Sequence, residues 1–111
     1  MVDIFATVCD IYGIDLPNGV ARDSISLLPL LGGIPVSDRE YLFAESFPNN
    51  HDYTTSRSVA ISNDTHKLTI EQGVETLYLM PGETVVPTPY TGVELSAYNE
   101  LFSELQQNYA W

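Results

Sequence analysis

The sequence predicts an α+β fold: an antiparallel sheet of about four strands with a packed C-terminal helix and an N-terminal helix. Three observations predict it. Apolar residues recur at helical spacing at both ends of the chain, over 1–12 and 91–110. Between 39 and 80 the apolar period changes to two. The breaks between the alternating stretches are short and polar, which suits antiparallel neighbours rather than crossovers. A chain of 111 residues makes one domain, 1–111. It reads as a helical and loop lead-in over 1–38, a sheet over 39–80 and a helix over 91–110.

Taken in order, Val2, Phe5, Cys9 and Tyr12 form one stripe of the first helix, with Ile4, Val8 and Ile11 beside it. Gly13 stops that helix, because glycine accepts the left-handed conformation. Asp23 or Ser24 is placed to cap a short segment through Leu31, broken or held to a single turn by Pro29. Strands are expected over 39–47, 57–62, 65–71 and 74–80, with Val59 and Ile61 on one face of the second and Leu68 and Ile70 on one face of the third. Asn63-Asp64 reads as a two-residue hairpin turn, since both residues tolerate positive φ, and Gln72-Gly73 as a second turn. The three prolines and one glycine of Pro81 to Thr91 predict a surface loop. In the last helix Leu95, Tyr98, Phe102, Leu105 and Tyr109 form a stripe that Leu101 widens, to be laid on one face of the sheet.

Composition narrows the function. Fifteen Asp and Glu against four Lys and Arg give a net charge of −11. No basic stripe exists to neutralise phosphates, so nucleic acid and anionic membrane surfaces are excluded as partners. The most apolar stretch, Ile25 to Val36, is broken by prolines and glycines and is too short to span ~30 Å of hydrocarbon. Asp3 stands where a secretion signal would be basic, so the localisation is left open: cytoplasmic if the chain is expressed as given, with the compartment of any parent protein undetermined by this sequence. A single cysteine, Cys9, leaves no disulfide and no cysteine-cluster zinc site, and it reads as a packed, unreactive thiol.

The sequence holds no phosphate-cradling glycine loop, no G-x-S-x-G and no H-E-x-x-H. The polar stretch Asn49 to Ser56 gathers the one cluster of functional groups, His51-Asp52-Tyr53, with Glu45 and Arg57 nearby. These suit contact with an anion or a sugar, or a solvated loop. A small hydrolase built on Glu45, His51 and Asp52 has no nucleophile–base pair that the sequence makes visible. His66 is expected to find a cross-strand partner rather than a metal.

The order of segments resembles the C-terminal subdomain of the sulfatase family, within the alkaline phosphatase superfamily. Val2-Asp3-Ile4-Phe5-Ala6-Thr7, followed by Gly13-Ile14 and Leu16-Pro17, is similar to that family's V-D-x-x-x-T helix and the turn after it. Asp23-Ser24-Ile25-Ser26-Leu27-Leu28-Pro29-Leu30-Leu31-Gly32-Gly33 resembles its G-x-S-L-L-P-L-L-x-G segment, with Ser24 in place of the usual glycine. Arg39 to Glu45 resembles R-x-x-L-F-x-E. Arg57-Ser58-Val59, Lys67-Leu68 and Gly73 to Met80 are similar to the strands that follow. The likeness covers residues 2–83. It departs at Met80-Pro81-Gly82-Glu83, which keeps only the proline and glutamate of an acidic D-P-x-E stretch, and the last helix carries no family motif.

The resemblance implies a structural, cleft-forming role without catalysis. Sulfatases make their nucleophile from the cysteine or serine of C/S-x-P-x-R, and Cys9-Asp10-Ile11-Tyr12-Gly13 lacks its proline and arginine. No adjacent aspartates are present for the family's divalent metal, typically calcium, which the resemblance places upstream. This chain is therefore expected to have no catalytic residue, no metal ligand and no cofactor of its own. The expected substrate-facing loop carries His51, Asp52, Tyr53 and Arg57. Val2, Phe5, Leu27, Leu28, Leu30 and Leu31 are the expected interface, covered either by a sulfatase catalytic domain or by a second copy in a homodimer. The second possibility makes the chain a free-standing, self-associating module derived from a sulfatase.

Overall fold

Period-two patterning folds into β1 (Leu42–Ser46), β2 (Ser58–Ser62), β3 (His66–Glu71) and β4 (Val74–Leu79), and a two-residue strand, β5 (Thr84–Val85), follows them. The strands form one antiparallel sheet in the order β1-β2-β3-β4-β5. The computed structural model describes residues 2–20, 24–35, 39–47 and 57–109. It divides into two units, Met1–Asp38 and Arg39–Trp111.

Register sets the core of the second unit. Phe43, Ile61, Leu68 and Leu77 lie opposite one another across four strands. Glu45, Val59, Ile70 and Glu75 form the next row on the same face. Val59, Ile61, Leu68, Ile70 and Leu77 are buried there beneath α3 (Gly92–Tyr109), which packs on β2 and β3.

Several expectations need correction. The loop expected over 81–91 contains β5, paired with Tyr78 and Leu79, and it sends Val86 into the core. Two residues are too few to show a period, and the flanking prolines hid them. The β2–β3 turn is also shifted by one residue. The Asn63 amide donates to the His66 carbonyl, so Asp64 and Thr65 are the central pair. Asn63 takes no positive φ; its Oδ1 accepts from the amides of Thr65 and His66 at 3.0 and 2.9 Å, an Asx turn. By contrast Gln72 and Gly73 have φ of 51° and 81°, the left-handed pair that a tight hairpin requires.

The third correction rotates α3. Its buried line is Ala97, Leu101 and Leu105, while Leu95 is 43% exposed. Tyr98 and Phe102 flank this line half-buried, stacked with ring centroids 5.6 Å apart. The reason is the phenol. A buried tyrosine hydroxyl needs a polar partner, and Tyr98 finds one at the rim, donating to Glu75 Oε2 at 2.6 Å. Leu101 has no such demand and takes the centre. On the β1 side, Tyr41 and Asn63 both donate to Glu100 Oε1, at 3.0 and 3.2 Å.

These rim contacts have a pH signature. The hydrogen bond to Glu100 pushes the Tyr41 phenol up to about 12, helped by desolvation and by neighbouring carboxylates. Desolvation, then the bond to Glu75, pushes Tyr98 up to about 12. Both phenols hold their protons more tightly folded than unfolded. Their contribution is therefore complete below the unfolded value of about 10 and is lost as pH rises through about 12. A near-ultraviolet absorbance titration should show two late-ionising tyrosines, one removed by Tyr41→Phe and one by Tyr98→Phe. Ionisation of all tyrosines together near pH 10 would reject these contacts.

The histidine expectation changes as well. His66 is buried, its Nδ1 lies 2.9 Å from Thr65 Oγ1, and Leu79 stands across the strand. Its polar partner is its chain neighbour rather than a cross-strand residue.

The first unit is built on polar contacts. Here α1 (Ile4–Ile11) ends in a left-handed Gly13 with φ 63°. The Ile14 amide reaches back to the Cys9 carbonyl and the Gly13 amide to that of Asp10, the two bonds of a Schellman motif. The single turn α2 (Leu28–Leu31) accommodates Pro29 in its first turn, where no helical N–H is lost. Asp23, a candidate cap, lies outside the described residues. One correction applies to α1. Its only buried residue is Ala6, Cys9 is half-buried, and the Val2–Phe5–Tyr12 stripe is exposed.

Candidate functional site

The chemistry-bearing loop springs from the ends of β1 and β2. His51, Asp52 and Tyr53 lie outside the described residues. Arg57, at the base of the loop, is described, and the fold brings Glu45 and Phe47 to it. Alternation places Glu45 beside Val59 on the helix face. The Arg57 guanidinium is ion-paired and hydrogen-bonded to Glu45 Oε1. It also sits 6.0 Å from the centroid of the Phe47 ring. The pair is sheltered, with side-chain exposures of 20% and 27%. A guanidinium held by a carboxylate and an aromatic ring is well suited to anchoring a loop base. Sequence proximity had pointed to Glu45 and Arg57; the part of Phe47 emerges only from strand pairing.

In the first unit the residues of the V-D-x-x-x-T stretch have a visible task. Asp3, Thr7 and Asp10 fall on one face of α1 and clasp the 24–28 segment. Asp3 Oδ1 accepts from the Ile25 amide at 2.9 Å, and Thr7 Oγ1 accepts from the Leu27 amide at 2.9 Å. Ser26 Oγ donates to Asp10 Oδ2 at 2.5 Å. Ser24, where the family's glycine usually stands, uses its hydroxyl to accept from the Ala6 amide at 3.0 Å. The spacing i, i+4, i+7 signals this shared face in the sequence. The clasp turns α1's apolar side outward. Phe5 is 51% and Leu31 74% exposed; Val2, Leu27 and Leu30 are exposed too, and Leu28 is half-buried.

Among the described residues no three His, Cys, Asp or Glu side chains come together as a metal site. These residues do not by themselves fit the divalent metal that the family resemblance implies. No described helix is long and apolar enough to cross a membrane.

One unit is an antiparallel sheet with a helix packed on it, the other a helix clasped to a single turn. Solved structures of sulfatases are similar to this chain. A crystal structure from Bacteroides thetaiotaomicron VPI-5482, of a protein assigned as a sulfatase, matches 95% of this chain with 26% identity and a TM-score of 0.73. A 2-O GAG sulfatase matches 95% of the chain with 26% identity and a TM-score of 0.61. The chain spans 24% and 22% of those proteins, about a quarter of their length. No family model and no curated protein matches the sequence. The chain thus has the fold of a sulfatase segment, as the order of its motifs indicated for the C-terminal subdomain.

Proposed function

We propose that this chain is the cleft-forming, non-catalytic C-terminal subdomain of a sulfuric ester hydrolase. The observation that carries the proposal is the coverage: nearly all of this chain aligns with about a quarter of a sulfatase. The sequence supports it, because the C/S-x-P-x-R motif that supplies the family's nucleophile does not occur in these 111 residues. Without an activated nucleophile and a metal to stabilise developing charge, ester hydrolysis loses its main sources of rate. The role left is structural. The sheet and α3 form a rigid base, and the loop carrying His51, Asp52 and Tyr53 is presented to substrate from the Glu45–Arg57–Phe47 anchor.

The purified chain is expected to hydrolyse neither aryl sulfates nor aryl phosphates above background, with or without added calcium or magnesium. Metal-dependent turnover that survives repurification and disappears in His51→Ala would overturn the proposal.

A second reading is favoured by the exposed apolar residues of the first unit. In it the chain stands alone and covers Val2, Phe5, Leu30 and Leu31 with a second copy. The two readings share one fold and differ in what covers that surface.

A further inference from the structure

We infer that Asn18 is a site of spontaneous covalent modification: the folded chain converts Asn18-Gly19, through a cyclic imide, to an aspartyl or isoaspartyl linkage. The inference is independent of the sulfatase reading. It starts from the residue order. The sequence holds six asparagines, and Asn18 is the one followed by glycine. The reaction joins an asparagine side chain to the next residue's amide nitrogen, and a next residue without a Cβ leaves that nitrogen unhindered.

The first unit presents this pair in a form that can react. The Val20 amide donates to the Pro17 carbonyl at 3.1 Å, closing a four-residue turn. Gly19 has φ 86° and Asn18 a negative φ, the pattern of a type II turn with Asn18 and Gly19 as its central pair. Both are exposed. The Gly19 N–H stands outside the turn's hydrogen bond, and among the described residues no partner holds it or the Asn18 side chain. Ring closure needs the Gly19 nitrogen to swing over Asn18 Cγ. Glycine takes either sign of φ at little cost, so the central peptide can turn over.

The other described asparagines are held. Asn63 has its Oδ1 engaged by the amides of Thr65 and His66 and its Nδ2 by Glu100. Asn99 lies inside α3, where the following amide belongs to the helical ladder. Asn108 donates from Nδ2 to the Glu104 carbonyl at 2.9 Å.

The reaction balances with water alone. Solvent base removes the Gly19 amide proton, and the nitrogen attacks Asn18 Cγ. A C–N bond forms, the Cγ–Nδ2 bond breaks, and Nδ2 takes up a proton and leaves as ammonia. Water then opens the ring. Cleavage at Cγ restores the main chain with an aspartyl side chain. Cleavage at the main-chain carbonyl leaves an isoaspartyl link, whose main chain runs through Cγ. Nothing is oxidised or reduced. Either product adds one negative charge to a chain of net charge −11. The isoaspartyl link also lengthens, by one methylene, the connection between α1 and the 24–28 segment that α1 clasps.

The test is incubation of the full chain at neutral and at mildly alkaline pH, with samples separated by anion exchange and mapped by peptide mass spectrometry. One acidic species should grow with time, faster at the higher pH, and map to Asn18 as a mixture of the two linkages. Asn18→Asp should elute with that species from the start. Asn18→Gln should abolish its growth, because glutamine must close a larger ring. Gly19→Ala should slow it several-fold, because a Cβ now crowds the nitrogen. An unchanged circular dichroism spectrum shows that each variant keeps the fold. No growth of an acidic species, growth that maps first to another asparagine, or an unchanged rate in Gly19→Ala would each overturn the inference.

Discussion

Leu101→Ala is expected to destabilise the sheet–helix unit by ~2–5 kcal/mol. Leu101 is fully buried in the middle of α3, within the cluster that contains Ile61, Leu68 and Leu77. Shortening it loses the transfer free energy of the removed carbons and leaves a cavity that a close-packed sheet cannot collapse to fill. Domains are stable by only ~5–15 kcal/mol, so this is a large share of the total. Phe102→Ala should cost less than Leu101→Ala, although phenylalanine is the larger side chain, because Phe102 is only half-buried. Denaturant unfolding followed by circular dichroism measures both. A loss at Leu101 below ~1 kcal/mol, or a larger loss at Phe102, would reject the rotation of α3 found here.

The second large effect concerns association. If a second copy covers the first unit, the unmodified chain sediments as a closed oligomer at micromolar concentration, and Phe5→Asp returns it to monomer. Phe5, Leu30 and Leu31 are each more than half exposed, so an interface there buries large apolar side chains. A charge placed at the centre of such a patch typically costs at least ~2 kcal/mol, a shift of roughly 30-fold in the dissociation constant. Salt gives an independent readout. Two copies of a chain with net charge −11 repel each other, and physiological salt screens that repulsion beyond ~8–10 Å. Association should therefore tighten as salt rises. A monodisperse monomer at low and high salt would eliminate the homo-oligomer and leave the remainder of a sulfatase chain as the partner for this surface.

The candidate site was half legible in the amino-acid order. Proximity in sequence put Glu45, His51 and Arg57 in one neighbourhood, and the clasp residues Asp3, Thr7 and Asp10 announce a shared helix face by their spacing. Phe47 was not legible as Arg57's ring partner, because that contact depends on β1 and β2 meeting in register.

Local physics accounts for what the residue order alone decided. Alternation produced the four longer strands, positive-φ residues produced the Gln72-Gly73 turn, and Gly13 ended α1, because each depends on neighbours a few residues away. Tertiary structure decided the rest. It assigned two residues between prolines to a fifth strand, since strand 84–85 exists only through its pairing with β4. It shifted the β2–β3 turn by one residue, because Asn63 satisfied two amides with its side chain instead of adopting a left-handed backbone. It also chose Leu101 over Leu95 for the core. The apolar arc of α3 is wide enough for either orientation. The choice went to the one that leaves the Tyr98 hydroxyl at the sheet rim, where Glu75 satisfies it.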